Sequence, residues 1–95
     1  MLHVATTPGG GPAVQGELDL GSAPALEAFL ANLDGDHEVD LSGVTFFDSS
    51  ALRVFLTIRR RNAKLRIVNP SESVLTVLEI TGTLDYLVYG REIGW

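Results

Sequence analysis

Two adjacent hydroxyls, Ser49 and Ser50, stand between an acid, Asp48, and an apolar run that opens with Ala51 and Leu52. Asp and Ser just before an apolar periodic stretch mark a helix N-terminus. The free N–H groups and the helix dipole there favour negative charge. An exposed serine at such a place can accept a phosphoryl group. The plainer reading is that Asp48 or Ser49 simply caps the helix. Other chemistry is thinly supplied. The chain has two histidines, His3 and His37, and no Cys. Two isolated histidines without thiolates make poor zinc spacing. His37 stands between Asp36 and Glu38, where a solvated turn histidine is ordinary. A Ser-His-Asp set assembles in three dimensions, so spacing does not exclude it. Yet no G-x-S-x-G elbow surrounds Ser49 or Ser50. Gly9-Gly10-Gly11 lacks the Lys-Ser/Thr of a phosphate loop and precedes a strand-like stretch, so it reads as a turn. No catalytic residue, metal ligand or cofactor is expected.

The elements that must carry these residues follow from periodicity. Leu2–Thr6 and Ala13–Leu20 read as two strands joined through the Gly9–Pro12 turn. Ser22 and Pro24 open a first helix as N-cap and first-turn proline. Leu26, Phe29, Leu30 and Leu33 give it one apolar stripe, and Gly35 is placed to end it. His37–Leu41 alternates as a core strand, and Ser42–Gly43 breaks it. Val44, Phe46 and Phe47 lead into the second helix, expected from about Ser49 to Asn62. On that helix Arg53, Thr57, Arg60, Arg61 and Lys64 fall within about 100° of arc. Arg59 falls on the apolar side and is expected to snorkel at an edge. Leu65–Val68 is a further strand. Asn69-Pro70-Ser71-Glu72 reads as N-cap, N1 proline and N3 acid of a third helix reaching Gly82. Leu84–Tyr89 reads as a last strand. Strands alternating with helices imply an α/β fold with mostly parallel pairing and an attached hairpin.

At 95 residues, residues 1–95 are expected to form a single domain. With 45% hydrophobic residues, the chain can bury a core without disulfides. No stretch approaches the roughly 20 apolar residues that span a bilayer, and Met1–Thr7 does not read as an export signal. The expected compartment is therefore the cytoplasm, with no membrane insertion. The net charge is −5. Residues 1–52 hold eight acids and no Lys or Arg, whereas residues 53–95 hold seven bases and four acids. An acidic chain is a poor direct nucleic-acid binder, because that affinity comes from neutralising phosphates. A protein partner or small ligand suits the dipolar charge pattern better.

The segment Val39–Leu52 resembles the signature of the STAS domain, as found in anti-sigma factor antagonists. Gly16-Glu17-Leu18-Asp19, followed by Ser22-Ala23 and Leu26, is a second match. The element order fits from about Leu2 to Tyr89. The resemblance implies a STAS-type α/β fold, with a mixed, mostly parallel sheet of about five strands and helices packed on it. It also implies a mechanism. Ser49 would be phosphorylated by a partner that is both anti-sigma factor and serine kinase. The unphosphorylated chain would bind that anti-sigma factor and free the sigma factor, and a phosphatase would reverse the modification. Asp19, Asp48, Ser50, Ala51 and Arg53 would border the partner surface. The alternative is a STAS accessory subunit that docks the same face on a transporter ATPase.

Three departures from the signature carry expectations of their own. Ala51 replaces a usual Gly, a mild change within a helix. Arg53 stands where a small residue is common, four residues after Ser49. It could meet a partner when Ser49 is free and pair with phosphate when it is not, or simply be solvated. The chain ends where the family continues into a final helix, so the C-terminal helix is expected to be missing or truncated. Leu87, Tyr89, Ile93 and Trp95 could then be exposed, and a homodimer is one outcome of such exposure.

Overall fold

The computed structural model describes residues 2–33, 37–62 and 64–91. Strands β1 (Leu2–Thr6) and β2 (Pro12–Leu18) form an antiparallel hairpin, in register from Leu2 opposite Gly16 to Thr6 opposite Pro12. Since β1 covers one edge of β2, later strands must use the other. Strand β3 (Glu38–Asp40) pairs there in parallel through Ala13 opposite Asp40. Strand β4 (Val44–Phe47) follows on β2, with Gly16 opposite Val44 and Leu18 opposite Phe47. So β3 and β4 run one behind the other in the same direction, separated by Leu41-Ser42-Gly43. Strand β5 (Arg66–Val68) pairs in parallel with β3 and completes a five-stranded mixed sheet.

Residues Val44–Phe47, which read in sequence only as a lead-in to a helix, are thus a strand. The break before them hides the continuation. Asp40 Oδ1 accepts hydrogen bonds from the Ser42 N–H at 2.8 Å and the Ser42 hydroxyl at 2.6 Å, which turns the chain. Pairing resumes when the Gly43 carbonyl accepts from the Gly16 N–H at 3.0 Å. A Cβ on Gly43 would lie 2.8 Å from Gln15 Cγ, so the close approach requires glycine unless Gln15 moves.

Helices α1 (Ala23–Ala31), α2 (Ser49–Arg61), α3 (Glu72–Thr81) and α4 (Leu84–Leu87) connect and cover these strands. One sheet face supplies Val14, Leu18, Val39, Val44, Phe47 and Ile67 to the core. The helices bring Leu26, Leu30, Phe55, Ile58, Val74 and Leu78 onto it. Phe47 and Phe55 meet as a tilted ring pair with centroids 6.1 Å apart, pinning α2 against β4. The alternate residues Gln15, Glu17, Glu38 and Arg66 are exposed, as period-2 alternation requires. In β4 a register shift at Gly16/Glu17 leaves both Thr45 and Phe46 exposed between buried Val44 and Phe47.

Four sequence expectations change. Ser22 holds the N-cap position of α1 but makes no capping hydrogen bond; its hydroxyl is engaged by the Asp19 turn. The N-cap of α3 is Ser71, whose hydroxyl accepts from the Val74 N–H, and not Asn69. Asn69 sits at φ 48° and donates its side-chain amide to Asp40 Oδ2 at 2.9 Å. Leu84–Tyr89 is no strand. Gly82, at φ 71°, ends α3 with paired bonds from Gly82 N–H to Glu79 O and Thr83 N–H to Leu78 O. The chain then re-enters a helical turn, α4, because Leu84, Leu87 and Val88 also fit helical spacing. A C-terminal helix is therefore present and short, and Leu87 is fully buried beneath it. Ile93 and Trp95 lie outside the described residues, as does Gly35.

The fourth change concerns Arg59. It is 3% exposed: it lies on the apolar side as the helical wheel places it, but its head does not snorkel to a solvated edge. Its guanidinium lies 4.5 Å from the ring centroid of Tyr86 on α4. The unanticipated helix supplies the aromatic face that lets this charge be buried.

Candidate functional site

Strands β2 and β4 are parallel neighbours, so both deliver their following residues to the same end of the sheet. Leu18 opposes Phe47, which places Asp19 and Asp48 one residue beyond the paired strand ends. The Asp48 N–H still donates to the Leu18 carbonyl at 3.3 Å. Ligand and partner sites of parallel sheets favour this carboxyl end.

Asp48 is the N-cap of α2. Its backbone is extended, and Oδ1 accepts from the Ser50 N–H at 2.9 Å and the Ala51 N–H at 3.2 Å. Of the two capping candidates, Asp48 therefore takes the role. Ser49 is left as the first helical residue, exposed, with its hydroxyl not needed by the cap. Ser50 is half-buried. Ala51 has no exposed surface and packs in the core. It therefore cannot border a partner surface as expected.

Asp19 is held in a tight local turn. Its Oδ1 accepts from the Ser22 N–H at 3.0 Å and the Ser22 hydroxyl at 3.2 Å, and its own N–H donates to Ser22 Oγ at 2.9 Å. The Ser22 N–H above all, and then the hydroxyl, hold this carboxyl below the usual carboxylate range against partial desolvation. Asp19 is thus a charged strut at the start of α1.

Between the starts of α1 and α2 lies a groove of about 410 Å³. Ala23, Pro24 and Glu27 form one wall, and Ser49, Ser50, Arg53 and Val54 the other. Leu20, 75% exposed, sits on its rim. A second depression of about 460 Å³ runs on along α2 past Leu52, Leu56, Thr57 and Arg60. Ser49 and Arg53 line both, so they form the ridge between them. The structure thus brings Ser49, Ser50 and Arg53 into one surface. Asp19 and Asp48 flank that surface and line neither hollow.

Sequence reasoning missed Leu20, Pro24, Glu27 and Arg60 as members of this surface. Leu20 carried the readable signal, since it continues the apolar strand beyond the last residue that can pair. His37 lies at the start of β3, the opposite end of the sheet from Ser49, and His3 is exposed on β1. Among the described residues no group of three His, Cys, Asp or Glu is placed to hold a metal ion. Among them, too, no helix is long and apolar enough to cross a membrane.

This chain matches a family model and named relatives over most of its length. The family model described as "Mlab, STAS domain" matches residues 13–89. A protein of Bacillus subtilis named anti-sigma-B factor antagonist is 31% identical over 81 residues, covering 78% of this chain and 74% of that one. Proteins of the same name from Listeria monocytogenes and Listeria innocua are each 32% identical over 82 residues, covering 78% of this chain and 72% of theirs. The family-model match runs from Ala13 in β2 past the end of α4, and includes both sequence signatures and the groove between α1 and α2. The chain belongs to the STAS domain family.

Proposed function

We propose that this chain is a non-enzymatic anti-sigma factor antagonist, switched by phosphorylation of Ser49. The observation that carries the reading is the position of that hydroxyl. It stands exposed at the first residue of α2, on a groove wall, and Asp48 has relieved it of any capping duty. The names of the similar proteins supply the partner class.

In this reading the unphosphorylated groove docks an anti-sigma factor of serine-kinase type. That partner then delivers ATP to the docked serine. Ser49 Oγ attacks the γ-phosphorus, the O–P bond to ADP breaks, and the hydroxyl proton passes to a base of the kinase. The product carries a charge of about −1.5 to −2 at neutral pH. Placed beside Asp48 and across from Glu27, it opposes docking by like-charge repulsion. Losing about 3 kcal/mol at the interface weakens binding more than a hundredfold. A phosphatase restores the serine. The cap itself does not involve Ser49 Oγ, so the domain keeps its fold through the cycle.

The test is incubation with purified anti-sigma serine kinases and ATP–Mg²⁺, followed by mass mapping. Phosphate on Ser49, with loss of binding on modification, supports the reading. Phosphate confined to Ser50 overturns the assignment of Ser49. Absence of any phosphate transfer overturns the switch, and moves weight to docking alone, as on a transporter ATPase.

A further inference from the structure

Resting on Ser49 as the phosphoacceptor, we infer that Arg53 is the counter-ion that captures the Ser49 phosphate and is thereby withdrawn from the groove. Ser49 and Arg53 are i and i+4 on α2, the spacing at which helical side chains meet. They share the ridge between the two hollows, and both are exposed. Arg53 is the one cation among the residues lining the α1–α2 groove. It makes no ion pair with an acid among the described residues, so no bond must break before it can turn.

The competing donors to a phosphate at a helix start are the free N–H groups. Here Asp48 Oδ1 already takes the Ser50 and Ala51 N–H groups. A phosphate on Ser49 therefore has a carboxylate as its neighbour on the cap side, and Glu27 across the groove. Both repel it. Arg53 lies in the direction left, with a planar fork of donors suited to phosphate oxygens. Arg60 is about two turns further on and lines only the second hollow.

Modification then does two things at once. It adds negative charge, and it occupies the groove's cation. A partner carboxylate that used Arg53 would lose its counter-charge as well as meet the phosphate. Adding charge alone would leave Arg53 available.

The experiment installs phosphoserine at position 49 during synthesis, so no kinase is needed. Phosphorus NMR then follows the second ionisation of that phosphate in three backgrounds: wild type, Arg53→Lys and Arg53→Ala. A free phosphoserine titrates near pH 6. A nearby cation lowers the value, and an exposed pair does so modestly. The Arg53→Ala protein is expected to titrate roughly half a unit higher than wild type, with Arg53→Lys between them. The gap should shrink in about 1 M salt. Superimposable titrations in wild type and Arg53→Ala overturn the inference. Circular dichroism checks that each variant is folded, which an exposed substitution permits. Failure of every kinase to label Ser49 would sink the phospho-switch and leave this titration readable, so the two failures stay distinct.

Discussion

The backbone N–H of Asp48 donates to the carbonyl of Leu18 at 3.3 Å, joining positions 30 residues apart in sequence. Leu18 is the last residue of β2, and Asp48 directly follows β4. The bond extends the parallel pairing one step beyond the paired strands. The two separate sequence signatures, Gly16–Asp19 and Val39–Leu52, thereby meet at one end of the sheet. The acids that end each strand then do different work. Asp19 closes a turn before α1, and Asp48 caps α2. Both chains of events place a helix start beside the groove, and only α2 leaves a hydroxyl spare on its wall.

The cap makes Asp48 a stability residue as well as a boundary of the site. Asp48→Ala should cost about 1 kcal/mol in urea unfolding, the usual loss for an N-cap. Asp48→Asn should fall close to wild type, since the amide oxygen accepts the same two N–H groups. Equal losses in both variants would show that charge, and not capping, is what Asp48 supplies to the fold.

Much of this was legible in the residues. The apolar stripe of Leu26 and Leu30, the hydroxyl pair before Ala51 and the basic residues Arg53, Arg60 and Arg61 of α2 depend on local spacing, which sequence displays. Lys64, expected on the same arc, lies in the turn beyond the end of α2. What was hidden depends on tertiary partners. Val44–Phe47 is a strand because Gly16–Leu18 lies beside it, and four residues after a break carry too little alternation to announce that. Leu84–Leu87 is a helix because α2 and α3 offer it a place to bury Leu87; in isolation its apolar run suits either period. Arg59 followed from that error, since its burial needs Tyr86. In the site, the α1 wall of the groove was missed because Pro24 and Glu27 have no motif of their own.

Ser49 separates folding from function. Its side chain is exposed, so Ser49→Ala and Ser49→Asp should each unfold within about 0.5 kcal/mol of wild type. Their binding to an anti-sigma kinase should differ: Ser49→Ala keeps affinity and cannot be labelled, while Ser49→Asp binds more weakly. Affinities measured by calorimetry check this, and equal affinities would detach Ser49 from the docking surface.

The Arg59–Tyr86 contact ties α2 to α4. Tyr86→Leu keeps apolar bulk and removes the ring, and should cost about 1–2 kcal/mol. Arg59→Ala should cost more, because it also removes the packed stem of a buried side chain. Denaturant titration of both variants, with the double variant to close the cycle, measures the coupling. Strict additivity would show that the stacking contributes nothing beyond packing.

Gly82 ends α3 at φ 71°, with open space where a Cβ would go. Gly82→Ala should therefore cost about 1 kcal/mol through backbone conformation alone. Gly82→Asn should cost less, since Asn tolerates that conformation. Thermal unfolding in that order is the check, and a neutral Gly82→Ala would show the turn relaxing to another ending.

Acid should reveal the Asp19 turn. Ser22 holds the Asp19 carboxyl below its ordinary value. At Asp40, burial pushes upward but hydrogen bonds from Asn69 and Ser42 prevail, so its carboxyl is lowered too. A group whose folded pKa lies below its unfolded one adds stability above the unfolded pKa. That contribution is lost as pH falls through the folded value. Stability should therefore fall as pH drops below about 4, the unfolded carboxylate range. Ser22→Ala removes the hydroxyl that supports ionised Asp19. Its deficit against wild type should be largest near neutral pH and should narrow as pH falls below about 4 and through the lowered Asp19 value. Urea midpoints from pH 7 to pH 2.5 test this. Curves that stay parallel throughout would mean that Ser22 acts on the turn through its neutral bonds to the backbone, and not through the Asp19 charge.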